Sequence, residues 1–259
     1  MIEVRSAGRL ALGNVSVIDP HLASAFAHEL RAPLAALATS SGILVEDLER
    51  LDRRTLRGVA SSILRRTLWL QEIVENLLTA AIIGEDRFRI VRRAITPRDA
   101  VDDAVQIIGP LLESRHQPLR ISVSARLPII DVDRHRIGQV LVNLLSNASK
   151  FSEQGRAIDI SVKQHADRIR FTVSDRGPGL DVAELSHLFE PFYRGSARRL
   201  GDGIGLGLAV VSAIVSAHEG AVGAENRRGG GARFWFELPG TTTRETGAGN
   251  NGISGGRTQ

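Results

Sequence analysis

Residues 28–34 read HELRAPL and set an imidazole, His28, directly before a carboxylate, Glu29. An imidazole accepts a phosphoryl group only through an unprotonated ring nitrogen. A carboxylate on the other nitrogen fixes the tautomer and takes the proton as charge builds. About 115 residues further on the chain reads NLLSNASKF, then DRGPGL, then GIGLGL. Asn143, Asn147 and Lys150 fall at i, i+4 and i+7, on one face of a helix. Two amide oxygens suit Mg2+, which takes a few protein oxygens beside substrate phosphates and retained waters, and the Lys150 ammonium suits phosphate oxygens. Asp175 ends an alternating stretch, FTVS, where a carboxylate can accept the exocyclic amine of adenine. Gly177 and Gly179 let backbone approach a base and ribose without a Cβ. Gly203, Gly205 and Gly207 open into LAVVSAIVSA, and the N–H groups at such a helix start can hold phosphate. Singly each motif is a weak signal: a His-Glu pair is usually a solvated face, and DxGxG and GxGxG occur in many loops. Together they suit transfer of the terminal phosphoryl group of Mg2+-bound ATP to an imidazole.

These groups need elements to carry them. Leu22, Phe26, Leu30, Leu34 and Leu37 recur at helical steps and predict a helix over residues 21–47, with Asp19-Pro20 as its start and Pro33 kinking it. Residues 51–54 make a turn. A second helix follows over 55–83, with Leu56, Ile63, Leu70 and Leu77 every seven residues and Val59, Ile73 and Val74 thickening the seam. Such a hairpin leaves its apolar faces half uncovered, so pairing two of them into a four-helix bundle predicts a homodimer. Residues 84–89 are a polar, glycine-containing linker. Beyond it the pattern predicts helices over 100–113, 134–150 and 207–217, and strands over 121–125, 158–163, 168–174, 221–225 and 233–238. Mixed helices and antiparallel strands, without a βαβ succession or a GxxxxGK[ST] loop, predict a two-layer sandwich rather than a P-loop site.

Composition narrows the function classes. The chain of 259 residues holds no cysteine, which removes disulfides, thiolate metal sites and thiol catalysis. The six histidines other than His28 share no metal-ligand spacing. Net charge is +4 and the pI about 10.4, yet the basic residues are dispersed among acids and no basic run is interleaved with stacking aromatics, so nucleic acid is not an expected partner. No stretch reaches the ~18–20 apolar residues that cross a bilayer. No membrane contact is expected of this chain, and its expected place is the cytoplasm, alone or as the soluble part of a longer or membrane-associated sensor.

From about residue 23 to residue 239 the ordered set HELRAPL, NLLSNASKF, DRGPGL and GIGLGL resembles the histidine-kinase core of two-component signalling proteins. The resemblance implies an α+β chain in which an N-terminal helical hairpin forms a dimeric four-helix bundle. A two-layer α/β sandwich, the ATP-binding domain of the Bergerat or GHKL fold, follows it. The implied domains are a dimerisation and histidine phosphotransfer unit at 20–84 and an ATP-binding catalytic unit at 90–239. Residues 1–19 resemble weakly the end of a GAF-type sensor, and residues 240–259 form a disordered tail. By the same resemblance His28 is the phosphoacceptor and Glu29 its acid–base partner. The N box supplies Asn143, as metal ligand, with Asn147 and Lys150. Asp175, Gly177 and Gly179 are the G1 box, Asp175 reading adenine. LFEPFYR is the F box, ending in Arg194 near the γ-phosphate. Arg198, Arg199 and Asp202 belong to a polar lid, and Gly203, Gly205 and Gly207 are the G2 box.

ATP and Mg2+ are then the expected ligands, and the receiver domain of a response regulator, with its acceptor aspartate, the expected partner. One position departs from the pattern: where relatives carry Thr or Asn four residues after the histidine to position a hydrolytic water, this chain has Ala32, which has no hydrogen-bonding side chain. Weak phosphatase activity follows as an expectation. Two readings from other classes stand beside the kinase. One is an ATPase or clamp of the gyrase, chaperone or mismatch-repair kind, which lacks a phosphoacceptor helix. The other is a degenerate ATP-binding dimeric scaffold.

Overall fold

A computed structural model describes residues 4–6, 20–82, 88–195 and 205–240. Helix α1 (Pro20–Asp47) runs on through Pro33 and is followed by α2 (Arg53–Ile82). Asp52 caps α2 by accepting the Thr55 N–H at 2.8 Å, which is why the helix starts two residues before the sequence pattern suggests. The hairpin leaves much apolar surface uncovered. Leu34, Val45, Leu48, Leu64, Val74 and Leu78 are exposed, while Leu56, Val59, Ile63, Leu70 and Leu77 of the expected seam are half-buried. Ile73 departs from that seam: with Asn76 and Thr79 it is buried on a different face of α2, turned toward the second lobe.

The second lobe begins with β2 (Arg93–Ile95), paired antiparallel with β4 (Ile130–Val132) as a small separate sheet that the sequence pattern did not reveal. Helix α3 spans Pro97–Ser114, three residues earlier than expected. Thr96 and Asp99 form a capping box ahead of Pro97: the Asp99 N–H donates to Thr96 Oγ1 and the Thr96 N–H to Asp99 Oδ2, both at 3.1 Å. Helix α4 (Arg134–Phe151) is capped by Asp133, whose Oδ1 accepts the Arg136 N–H at 3.1 Å.

The main sheet contains β1 (Val4–Ser6), β3 (Leu119–Val123), β5 (Ile158–His165), β6 (Arg168–Ser174), β7 (Ala221–Asn226) and β8 (Ala232–Pro239). Its order is β1-β7-β8-β6-β5-β3. All neighbouring pairs are antiparallel except β3 and β5, which run parallel with Leu119 opposite Ile158 and Val123 opposite Val162. This corrects the expectation of a lobe without a βαβ unit. The chain passes from β3 through β4 of the small sheet and then α4 to β5, and two parallel neighbours require such a crossover. Helix α5 (Gly207–Ala217) joins α3 and α4 on one face of the sheet. Alternation along the strands sends Ile158, Ile160, Val162, Ile169, Phe171, Val173, Phe234, Phe236 and Leu238 to that face, where they meet Val140, Leu141, Leu144 and Leu145 of α4. Phe171 and Phe236 face each other across β6 and β8 with stacked rings, 4.6 Å between centroids. The lobe is thus the two-layer α/β sandwich expected, joined to a helical hairpin.

The expectations for residues 7–19, the centre of the linker at 83–87, the lid at 196–204 and the tail from 241 lie outside the described residues. No helix of the described residues is long and apolar enough to cross a membrane.

Candidate functional site

The side of α4 that faces α2 builds one half of the site. Its apolar residues anchor it to the sheet, and this turns Asn143, Ser146, Asn147 and Lys150 toward the end of the sheet where β6 and β7 stop. Asn143 is 1% exposed; Asn147 and Lys150 are half-buried. The start of α5 closes on the same residues. A Cβ placed on Gly207 would lie 3.8 Å from Asn76 Nδ2 and 4.0 Å from both Asn143 Cγ and Asn147 Nδ2. Asn143 Nδ2 also donates to Gly207 O at 3.4 Å. The N-box and G2-box stretches, about 60 residues apart in sequence, are therefore in contact.

Asp175 leaves the end of β6 and is buried. Its Oδ1 accepts two backbone N–H groups, from Gly177 at 2.8 Å and from Ala232 at 2.9 Å. Burial pushes its carboxyl above the ordinary carboxylate range, against the opposing pull of those two N–H groups and of Arg227 and Arg176. Gly177 is required by close approach: a Cβ there would stand 2.6 Å from the Phe151 carbonyl oxygen at the end of α4. The loop beyond is held by Asn226, whose side chain pairs with both backbone polar groups of Leu180.

The F-box stretch packs inward through Phe189, which is buried. The Phe192 N–H donates to Gly205 O at 2.9 Å, tying this stretch to the G2 box. Gly205 takes φ +75, and a Cβ would lie 2.6 Å from Tyr193 O, so both conformation and space favour glycine there.

Asn147, Lys150, Asp175, Gly179, Arg194, Gly205 and Gly207 line a single cavity of about 210 Å3. Its lining matches what an adenine nucleotide requires: a buried carboxylate at one end, amides, an ammonium and a guanidinium, and glycine turns that leave room for a ligand. The remaining wall comes from α2, through Trp69, Glu72, Ile73 and Asn76. A wider groove of about 1340 Å3 adjoins it, lined by Ala32, Pro33 and Ala36 of α1 and by Asn143, Ser146 and Lys150 of α4. Among the described residues no group of three or more His, Asp or Glu side chains has metal-holding geometry.

Of the residues singled out in the sequence, His28 and Glu29 lie within α1, one turn before the groove-lining Ala32, and their side chains are outside the described ones. Gly203, Arg198, Arg199 and Asp202 are outside the described residues. Asn143 is not among the residues lining the smaller cavity; its amide faces Asn76 of α2. Sequence reasoning missed Asn226 and Gly231. The run of glycines at 229–231 signals Gly231, where a Cβ would stand 2.3 Å from Asp175 O. It also missed the stem residues Trp69, Glu72 and Asn76, whose signal was a tryptophan and an asparagine at i and i+7 on a helix read only as amphipathic.

Residues 132–242 match the family model described as histidine kinase-, DNA gyrase B- and HSP90-like ATPase. The chain is 35% identical over 224 residues to the sensor protein KdpD of Escherichia coli, covering 86% of this chain and 25% of that protein. It is similar to full-length ShkA, solved in complex with AMPPNP, at 29% identity and a TM-score of 0.59, covering 86% of this chain and 46% of that one. The histidine kinase ThkA, solved with the response regulator protein TrrA, shares the fold at 22% identity and a TM-score of 0.60, covering 86% of this chain and 62% of ThkA. The chain spans about a quarter of the length of the curated relatives it matches first.

Proposed function

We propose that this chain, whose residues 132–242 match the model of the histidine kinase-, DNA gyrase B- and HSP90-like ATPases, is an ATP-dependent protein-histidine kinase. In this reading it phosphorylates its own His28 and passes the group to an aspartate of a response regulator. One observation carries the nucleotide half of the proposal: Asn147, Lys150, Asp175, Gly179, Arg194, Gly205 and Gly207, drawn from separate stretches, converge on one cavity. The groove beside it reaches the turn of α1 that follows His28.

Asp175 would receive the adenine amine. Asn147 and Lys150 would meet the phosphates, with Asn143 and Asn147 holding Mg2+, whose charge offsets that of the phosphate oxygens. A ring nitrogen of His28 forms a bond to the γ-phosphorus as the bond to the bridging oxygen breaks and ADP leaves; Glu29 takes the proton from the other ring nitrogen. Residues 20–84 would then be the dimerisation and phosphotransfer unit and residues 90–239 the catalytic unit. The uncovered apolar faces of α1 and α2 favour a homodimer, in which two hairpins bury them together. ThkA, which shares the fold, was solved with a response regulator, and a receiver domain is the partner proposed here.

The test is labelling with γ-labelled ATP of wild type, His28→Gln and Asn143→Ala. Acid-labile, base-stable label on wild type and none on either variant is expected. Label surviving in His28→Gln would overturn the phosphoacceptor assignment, and ATP hydrolysis without labelling would favour a plain ATPase. Mixed dimers of the two variants recover label only if transfer crosses between subunits.

A further inference from the structure

Helix α4 stops at Phe151, so the carbonyls of its last turn must find partners outside the helix. A side chain from before β3 supplies them. Gln117 follows the end of α3 and is 4% exposed. Its Nε2 donates to Ser149 O and to Glu153 O, both at 3.1 Å, and its Oε1 accepts the Ser149 hydroxyl at 2.5 Å. Arg115 adds a bond from Nη2 to Ser152 O at 3.1 Å. The end of α3 sets the backbone that presents this amide. His116 takes φ +51, in the left-handed region, and the Gln117 N–H returns to Leu112 O at 2.9 Å.

The far side of the same short segment carries the turn after Asp175. Ser152 Oγ accepts the Arg176 N–H at 3.1 Å. Arg176 Nη1 donates to Ala157 O, and its Nη2 donates to Asp159 Oδ2 at 2.8 Å. Gly177 lies against the Phe151 carbonyl. Residues 149–157 are therefore held by Gln117 and Arg115 from one side and by Arg176 and Gly177 from the other. Gln117 lines neither the cavity nor the wider groove, whereas Lys150, Phe151 and Asp175 all line the cavity.

Given the nucleotide site proposed above, on which this assignment rests, we propose that Gln117 is a positioning residue for that site. It sets Lys150 and the Asp175 turn in place through Ser149 and the segment after α4, and it does not touch the nucleotide. A carboxamide suits the task because it offers two N–H donors and an acceptor in one plane. An apolar side chain of the same length fills the space but strands two carbonyls and a hydroxyl. Those groups then turn toward water. The last turn of α4 moves with them, and the turn after Asp175 loses its backing.

The test uses the full chain and reads the initial rate of self-labelling against Mg-ATP concentration, with nucleotide affinity measured in parallel by titration calorimetry. Gln117→Met is expected to raise both the half-saturating ATP concentration and the dissociation constant about tenfold, with the rate at saturating ATP within about twofold of wild type. Ser149→Ala, which removes one of the bonds and suits a helix, is expected to raise them about threefold. Ile169→Val is the control for lost stability alone: it trims the core on β6, six residues before Asp175, and should keep wild-type affinity. Wild-type half-saturation in folded Gln117→Met overturns the assignment and leaves the nucleotide site standing. So does an equal loss of affinity in Ile169→Val. Should Gln117→Met fail to fold, Ser149→Ala decides, and wild-type affinity there overturns the assignment. A folded wild type that binds no nucleotide overturns the nucleotide reading, and the role of Gln117 with it.

Discussion

His218 accepts at Nε2 the backbone N–H of Asp133, 2.9 Å away, and so ties the last turn of α5 to the residue that caps α4. Its Nδ1 is 2.8 Å from Ile214 O and must carry the proton. The ring is therefore needed in its neutral form, and burial pushes its pKa below the usual 6.5. A depressed histidine contributes stability that is present above the unfolded value and is lost as pH falls through the folded one. Urea unfolding of wild type should show stability falling as pH drops below about 6.5, and His218→Gln should flatten that slope. His218→Ala, which strands a buried N–H and a carbonyl, should cost roughly 1–3 kcal/mol at neutral pH.

Glu72 has the opposite sign. Burial against α4 raises its carboxyl above the ordinary 4.5, with the Ser146 hydroxyl and the Lys150 charge opposing the shift. A raised carboxyl contributes stability that is complete below the unfolded value and is lost as pH rises through the folded one. Glu72→Gln keeps an acceptor for Ser146 and removes the charge, so it should be more stable than wild type at neutral pH and equal to it in acid. Parallel denaturation curves for the two proteins at every pH would refute this.

Asn226 holds the loop after Asp175 as a strand neighbour would, its Oδ1 accepting from Leu180 N at 2.7 Å and its Nδ2 donating to Leu180 O at 2.8 Å. Asn226→Ala should cost about 1–2 kcal/mol of stability. The Leu180 amide should exchange with deuterium much faster, and nucleotide affinity should fall. Unchanged exchange at Leu180 would count against the clamp.

Gly177→Ala should be poorly tolerated, because its Cβ would press on the backbone carbonyl of Phe151 rather than on a flexible side-chain end. A loss of roughly 1–3 kcal/mol in unfolding, with nucleotide binding lost, is expected. Gly138→Ala is the control: nothing lies within 4 Å of that added Cβ, and α4 should tolerate it.

Ala32 lines the groove shared with α4 but offers no donor or acceptor. Ala32→Thr should raise the rate at which phosphorylated partner regulator loses its phosphoryl group, measured against wild type. An unchanged rate would separate the missing hydroxyl from phosphatase activity.

How much of this could be read in the sequence depended on the range of the interactions. Helix α4 and strands β5 to β8 were legible, since Ile158, Ile160, Val162 and Phe171 alternate and the α4 face repeats at helical spacing. Asp175, Lys150 and the glycines were legible because each motif is local. The capping box of Thr96 and Asp99 is a local signal too, and it starts α3 three residues before its apolar periodicity does. The pairing of β2 with β4 was not legible: strands of three residues carry little pattern, and their register is set by the lobe around them. Nor was the β3–β5 parallel pair, which depends on where α4 returns the chain. The Asn76–Asn143 pair spans 67 residues, and nothing local to either residue announces the other.

The crossover from β3 to β5 fixes more than topology. The segment bearing Asn143, Asn147 and Lys150 is a strut with one foot in the small floor, at β4, and the other in the main floor, at β5. Such a strut cannot slide along its own length without tearing the planks apart. The spacing among these three side chains is therefore a property of the strut and its two footings, set without any contribution from the stem's own turn.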